Sequence, residues 1–217
     1  MTKDSNRPAD GVRSSYRQLA AEYDRRWARY NRRSLALLRP FLADRDAGTL
    51  LDLACGTANL VPLLAGWGTR VDRYLGADLS PEMLARAALR AGRAPFPAAL
   101  LAADAAAIPL RDASADTLVS ASALHDWADP AAVLAEARRV LRPGGRLLLL
   151  DWSRGRATMK ALNLALRIRR NPFHRMYSAD EAESLLAAAG FRVVAQERRA
   201  ITWMWEMMVL EAIRPGA

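Results

Sequence analysis

Several features are scarce in this 217-residue chain, which has one cysteine, two histidines and only two lysines, Lys3 and Lys160. A single cysteine cannot form an internal disulfide or a cysteine metal site, so we predict no metal and a reducing, cytoplasmic compartment. Neither lysine lies in a Gly-Lys-Ser/Thr sequence, which excludes a Walker phosphate loop. The polar N-terminus lacks a secretory signal. Long apolar runs are also missing, and a membrane-spanning helix needs about 20 apolar residues. We therefore expect a soluble protein.

The formal net charge of +9 comes almost entirely from arginine. Such a charge can indicate nucleic acid, an anionic membrane surface or a solvated arginine-rich surface. The arginines are densest at 25–33 and 167–175, and they are not interleaved with the stacking aromatics that a strand-binding surface needs. We expect a solvated surface and no nucleic-acid partner.

Apolar strand patterns alternate with helical patterns from Thr49 onward, which is typical of a parallel sheet covered on both faces. Helix starts are predicted at Ser80-Pro81 and Asp129-Pro130, and Ser178 with Glu181 predicts a capping box. Extended runs are predicted at 191–197 and 201–211, joined by residues 198–200. In the second run, core and interface packing is expected of Trp203, Trp205, Met207 and Met208.

Residues 50–60 combine an apolar strand carrying one acid, Asp52, with a turn of small residues at 54–58, and a second strand ends at Asp78. A small-residue turn lets backbone approach a ligand closely, and an acid at the next strand tip can accept hydrogen bonds from a ribose. The turn contains a single glycine, so it lacks the Gly-x-Gly-x-x-Gly of a dinucleotide fold. Alternatively, Asp52 caps its own turn.

Together with the stretches at 78–84 and 141–147, residues 50–60 resemble the class I S-adenosylmethionine-dependent methyltransferases, in their small-molecule, methyltransferase domain 11 type. The resemblance covers roughly residues 49–151. It implies an α/β fold with a Rossmann-like, seven-stranded, mostly parallel sheet, a C-terminal antiparallel hairpin and helices on both faces. It also implies S-adenosyl-L-methionine as cofactor and in-line transfer of its methyl group to a small-molecule acceptor.

On this resemblance the chain divides into an N-terminal tail and helical cap, residues 1–44, and a methyltransferase domain, residues 45–217. An acceptor lid is expected at about 154–178. In the cap, the pattern from Tyr16 to Asp24 is similar to one that closes the cofactor site in this family, although Tyr16 and Tyr23 equally fit a core-packing stripe.

The resemblance assigns the methionine portion of the cofactor to Asp52 and its turn, the ribose to Asp78 and the adenine to Asp104. The expected cofactor-binding residues are Tyr16, Tyr23, Asp52, Ala54, Gly56, Asp78, Leu79, Asp104, Ala105 and Ser120. The family's turn usually reads Gly-x-Gly-x-Gly, and Ala54 and Ala58 replace its outer glycines. The replacement of glycine by Ala54 is expected to have a mild effect if its backbone lies in an ordinary region of φ and ψ. Ala58 is expected to place a methyl where the cofactor passes close to backbone.

The loop after the fourth strand, 121–127, decides the acceptor class. It lacks the Asn/Asp-Pro-Pro-aromatic motif of nucleobase amino methyltransferases, the Pro-Cys of cytosine carbon methylation and the paired glutamates of arginine methyltransferases. Residues 124–129 instead resemble the Leu-His-Asp-Trp-x-Asp stretch of small-molecule O-methyltransferases. His125 is thus a catalytic and acceptor-binding candidate beside Trp127, or else a structural side chain that anchors the loop.

The expected lid supplies the second catalytic candidate, His174, and two further acceptor contacts, Arg175 and Tyr177. Its helical stretch 157–170 is apolar on one side and basic on the other, which also suits a peripheral membrane contact. Two alternatives therefore stay open. One is a membrane-surface methyltransferase acting on a quinone or phospholipid headgroup, and the other is a catalytically silent S-adenosylmethionine-binding subunit.

Overall fold

The computed structural model of the protein describes residues 22–168 and 175–216, so the predicted site residues Tyr16 and His174 lie outside it. A seven-stranded sheet forms its centre, in the order β3-β2-β1-β4-β5-β7-β6. The strands are β1 Asp46–Leu53, β2 Arg70–Asp78, β3 Ala98–Ala102, β4 Ala115–Ala121, β5 Leu141–Trp152, β6 Arg192–Ala200 and β7 Glu206–Ile213. Strands β1 to β5 are parallel, and β7 is antiparallel to both of its neighbours. The predicted fold class is confirmed.

Helices cover both faces of this sheet. They are α1 Tyr23–Leu35, α2 Arg39–Leu42, α3 Leu60–Gly66, α4 Pro81–Ala91, α5 Pro130–Val140, α6 Ala157–Ile168 and α7 Ala179–Ala188. Successive strand residues alternate between two buried clusters, as in Leu118 and Val119 of β4, because side chains along a strand point to opposite faces. One cluster packs beneath α5 and α7, and the other packs beneath α1 to α4.

The predicted helix starts are confirmed by their caps. The Ser80 hydroxyl accepts a hydrogen bond from the Met83 amide at 3.2 Å, and Asp129 accepts one from the Ala132 amide at 3.0 Å. Ser178 and Glu181 form the reciprocal capping box at the start of α7. Each cap sets the residue at which a loop ends and its helix begins. The caps at Ser80 and Asp129 therefore define the ends of two loops at the carboxyl ends of the strands.

The C-terminal hairpin forms, but its turn differs from the prediction. Strand β6 continues through Arg198, Arg199 and Ala200, which pair with β7, and the chain turns at residues 201–205. Met207 and Met208 are buried, as expected of core residues, whereas Trp203 is 79% exposed and is not part of the core. In the described part of the chain, no helix is long and apolar enough to cross a membrane.

Candidate active site

A cavity of about 340 Å³ opens at the carboxyl ends of β1, β2 and β4, the edge where parallel sheets bind ligands. It brings together eight of the residues predicted from the sequence: Tyr23, Ala54, Gly56, Asp78, Leu79, Asp104, Ala105 and Trp127. We call it the main cavity. A smaller cavity of about 50 Å³ is lined by Asp52 and shares Tyr23, Ala54 and Gly56 with the main one. The two cavities therefore adjoin across the turn that follows β1.

Asp78 ends β2 at the wall of the main cavity and holds the two loops beside it. The Gly56 amide donates to Oδ2 of Asp78 at 2.7 Å, and the Ser80 amide donates to Oδ1 at 2.9 Å. Burial raises the pKa of Asp78, against the lowering effect of these amide donors. A carboxylate oxygen can accept more than one hydrogen bond, so both oxygens can still accept from a ligand in the cavity.

Asp52 is buried behind the turn and accepts a hydrogen bond from the Tyr74 hydroxyl at 2.7 Å. Burial raises the pKa of Asp52 to about 7, and the negative charge of Asp78 adds to the shift, while the Tyr74 hydroxyl opposes it. A carboxylate this poorly solvated gains from any positive charge that approaches it.

His125 lies in the loop between β4 and α5, where its side chain is buried and does not line the main cavity. Its Nδ1 is 2.7 Å from Oδ1 of Asp151, and its ring stacks on Trp152 with the ring centroids 3.9 Å apart. Its neighbours Asp126 and Trp127 do line the cavity. This geometry favours the interpretation of His125 as an anchor that positions the cavity wall.

Three further predicted residues lie away from both cavities. Ser120 is fully buried, and its hydroxyl has no partner within the described ranges. The Arg175 guanidinium lies over the ring of Tyr177 at 4.5 Å and pairs with Glu181 at 2.7 Å. Tyr177 is itself part of the buried cluster beneath α5 and α7. These contacts tie the end of the expected lid to α7.

A family model described as "Methyltransferase domain" matches residues 51–149. The malonyl-[acyl-carrier protein] O-methyltransferase of Geobacter sulfurreducens is 33% identical over 199 residues, which cover 84% of this chain and 70% of the relative. The chain belongs to the class I S-adenosylmethionine-dependent methyltransferases. S-adenosylmethionine is accordingly its cofactor, as the sequence predicts.

Two further methyltransferases are similar to this chain, one in sequence and one in structure. A ubiquinone/menaquinone biosynthesis C-methyltransferase of Acidiphilium cryptum is 40% identical over 131 residues, 58% of this chain and 49% of the relative. The chain spans about half or less of the length of the first curated relatives it matches. An S-adenosylmethionine-dependent methyltransferase structure from Methanosarcina mazei shares the fold, with a TM-score of 0.68, 19% identity and coverage of 83% of this chain and 98% of that one.

The turn after β1 in this methyltransferase keeps the backbone of its missing glycines. Ala54 has φ of 61° and Ala58 has φ of 57°, both in the left-handed region that favours glycine. A mild effect of alanine at position 54 was expected only for an ordinary backbone conformation, and Ala54 does not have one. The expectation for Ala58 is wrong, because its methyl is fully buried in the cluster beneath α1 to α4 and lines neither cavity.

Ala54→Gly is expected to raise the free energy of unfolding by about 0.5 to 1 kcal/mol, because glycine relieves the left-handed strain at little cost in packing. Ala58→Gly relieves the same strain but removes a buried methyl worth about 0.8 kcal/mol, so we expect little net change. Urea unfolding of both variants beside the wild type measures the difference. An Ala54→Gly protein less stable than the wild type would contradict this account.

Sequence reasoning missed a clamp that holds α1 over the turn. The Asp24 carboxylate accepts hydrogen bonds from the Thr57 hydroxyl at 2.7 Å and from the Arg90 guanidinium at 3.0 Å. Burial alone raises the pKa of Asp24, but these donors outweigh it and leave the pKa below its usual value. Arg90 also donates to the Thr57 carbonyl at 2.8 Å. The Tyr-Asp pair at the start of α1 is the sequence signal that could have identified this clamp.

Ser122 was also missed. It lines both cavities with a left-handed backbone, φ 57°, and its hydroxyl lies 2.8 Å from that of Tyr30. The Tyr30 hydroxyl in turn accepts a hydrogen bond from the Trp152 indole at 2.7 Å. Nothing in the local sequence distinguishes Ser122 from an ordinary loop serine, because its role depends on contacts with α1 and β5.

Asp52→Asn is expected to stabilise the protein at pH 8. The folded-state pKa of Asp52, about 7, lies above its unfolded value of 3.8, so the stabilising protonation is lost as pH rises from about 4 through 7. Asparagine stays neutral and keeps an acceptor for Tyr74. We expect a gain of about 2 to 4 kcal/mol at pH 8 and little change near pH 4, by urea unfolding at both values.

Tyr74→Phe serves as the matched control for that result. It removes the hydroxyl that donates to Asp52, so at pH 8 it is expected to destabilise the protein. Equal or lower stability of Asp52→Asn at pH 8 would mean that the buried carboxylate is not a destabilising charge.

Proposed function

We propose that this protein transfers a methyl group from S-adenosylmethionine to a small, neutral and largely apolar acceptor that enters the main cavity. The supporting observation is the part of the cavity lining that is not assigned to the cofactor. These described residues are mainly alanine, with leucine, methionine, valine and tryptophan, and their charged groups are the acids Asp126 and Asp129. No lysine, arginine or histidine lies among these lining residues. An anionic acceptor would therefore meet repulsion and no counter-charge.

The residues present fit the cofactor that the family implies. Asp78 would accept hydrogen bonds from the ribose hydroxyls, and the buried, electron-rich Asp52 would face the ammonium of the methionine portion. Asp104 and Ala105 would lie beside the adenine ring. When bound, the cofactor supplies an activated methyl group on a positively charged sulfonium. The surrounding acids, including Asp126, favour that positive charge.

Positioning is the main task left to the protein. Alignment of two reacting groups supplies roughly 7 to 11 kcal/mol of barrier reduction, more than a general base contributes. The clamp of Asp24 on the turn and the anchoring of the Asp126-Trp127 wall by His125 are rigid elements suited to this task. Tyr23 covers both cavities from α1 and would limit the entry of water.

The names of the relatives include carbon and oxygen methylation, and we extend neither to this chain. The test is formation of S-adenosylhomocysteine with a panel of phenols, reduced quinones, amines and carboxylic acids. We expect turnover with neutral aromatic acceptors and its loss in Asp78→Ala. Binding of S-adenosylhomocysteine without turnover on any acceptor would instead support a catalytically silent cofactor-binding subunit. Turnover confined to carboxylic acids would contradict the neutral acceptor.

A further inference from the structure

Helix α6 has an apolar face on each side. Its inner face carries Met159, which is fully buried against Met176, with Leu162 and Leu166 packed beside them. Its outer face carries Leu164 and Ile168, which are 60% and 71% exposed. Leu164 and Ile168 are four residues apart and so lie on one side of the helix, one turn from each other. An amphipathic helix that only covers a core would show polar residues there.

The turn at 201–205 lies beside the start of this helix. The Arg156 guanidinium donates to the Trp203 carbonyl at 3.2 Å, and the Thr158 hydroxyl donates to the Met204 carbonyl at 3.0 Å, so the turn is fixed to the start of α6. Trp203 is 79% exposed. Among the described residues, Leu164, Ile168 and Trp203 are three of the five exposed large hydrophobic side chains. We call these three residues the outer patch.

The exposed charges of α6 are positive. Lys160 and Arg167 are exposed on α6, and the helix contains no acidic residue. Arg156 precedes the helix, with its Nε 3.7 Å from Glu206. Lysine and arginine beside an exposed apolar helical face are the arrangement of helices that lie in a membrane interface, where the long stems reach up to the lipid headgroups. Exposed tryptophan is also enriched at that depth.

We propose that the outer patch docks this protein on an anionic lipid surface. Leu164, Ile168 and Trp203 enter the boundary between headgroups and acyl chains, and Lys160 and Arg167 bind the lipid phosphates. The docking itself is independent of methyl transfer. The docking would allow an apolar acceptor to pass from the bilayer to the main cavity, and this role rests on the proposed function. The positive net charge of the chain, +9, adds a longer-range attraction to the same surface.

The test is co-sedimentation of the full chain with vesicles of phosphatidylglycerol and phosphatidylcholine, compared with phosphatidylcholine alone. We expect binding to the anionic vesicles that weakens as salt is added. The double variant Leu164→Glu with Ile168→Glu is expected to reduce the partition coefficient by at least about tenfold. It replaces two apolar side chains that enter the bilayer with carboxylates that the anionic headgroups repel. Lys160→Gln with Arg167→Gln is expected to weaken binding and flatten its salt dependence.

Leu89→Glu is the matched control, because Leu89 is 68% exposed on α4, outside the outer patch. It is expected to bind vesicles almost as the wild type does. Calorimetry with S-adenosylhomocysteine, unchanged in every variant, keeps this test separate from the cofactor site. The proposal is overturned if the wild type stays in the supernatant, or if Leu89→Glu reduces binding as much as the double variant. Binding of an acidic acyl carrier protein, but not of vesicles, would also overturn it and assign the patch to a protein partner.

Discussion

Asp78→Ala is expected to weaken the binding of S-adenosylhomocysteine by about a hundredfold or more. The variant removes the acceptor proposed for the ribose hydroxyls, and each hydrogen bond to a charged group is worth about 1.5 to 3 kcal/mol. It also leaves the Gly56 and Ser80 amides without the carboxylate that orients the two loops beside the cavity. Isothermal titration calorimetry on the folded variant measures the change. An unchanged dissociation constant would remove Asp78 from the cofactor site.

The control for this loss is Asp116→Ala. Asp116 also accepts a hydrogen bond from a backbone amide, that of Thr49, at 2.9 Å, and it pairs with Arg142. It lies at the start of β4, near the amino ends of the parallel strands, whereas the main cavity lies at their carboxyl ends. Asp116→Ala is expected to lower stability and leave binding within about threefold of the wild type. A similar loss of binding in both variants would show that general destabilisation, and not the lost ribose acceptor, explains Asp78→Ala.

The fold could be predicted because its signals are local and repeated. The apolar runs, the caps at Ser80 and Asp129 and the capping box at Ser178 each act within a few residues, and each agrees with the same alternation of strands and helices. The turn of the C-terminal hairpin was misplaced because Arg198 and Arg199 read as a polar loop. In the structure they pair with β7 as part of an edge strand, where charged side chains remain in water.

Topology predicts the part of the site that lies at the strand ends. Asp78 ends β2 and Asp104 comes shortly after β3, and the carboxyl ends of parallel strands meet at one cavity. The roles of Ala54 and Ala58 could not be assigned, because a sequence does not give the backbone angle of a non-glycine residue. The Asp24 clamp and the Tyr30–Ser122 contact join segments 33 and 92 residues apart, a pairing that no local pattern contains.

Asp151→Asn is expected to destabilise the protein by about 3 to 5 kcal/mol at pH 7, because it breaks a buried ion pair and makes the buried His125 imidazolium give up its proton. In the wild type, burial lowers the pKa of His125, but the carboxylates of Asp151 and Asp126 outweigh it and raise the pKa to about 9. Since the unfolded value is 6.5, the stabilisation is complete below pH 6.5 and is lost as pH rises through about 9.

The pH dependence separates this ion pair from simple packing. Urea unfolding between about pH 8 and 9.5, above the titration of Asp52, is expected to show falling stability in the wild type and a nearly flat profile in Asp151→Asn, in which the imidazole has lost its main charged partner. Asp126→Asn is the matched control, because its carboxylate lies farther from the ring, 3.7 Å from Nε2, and we expect a smaller loss of stability than in Asp151→Asn. If Asp151→Asn kept the wild-type slope, His125 would be neutral when folded. Its contact with Asp151 would then hold the cavity wall as an ordinary hydrogen bond rather than as an ion pair.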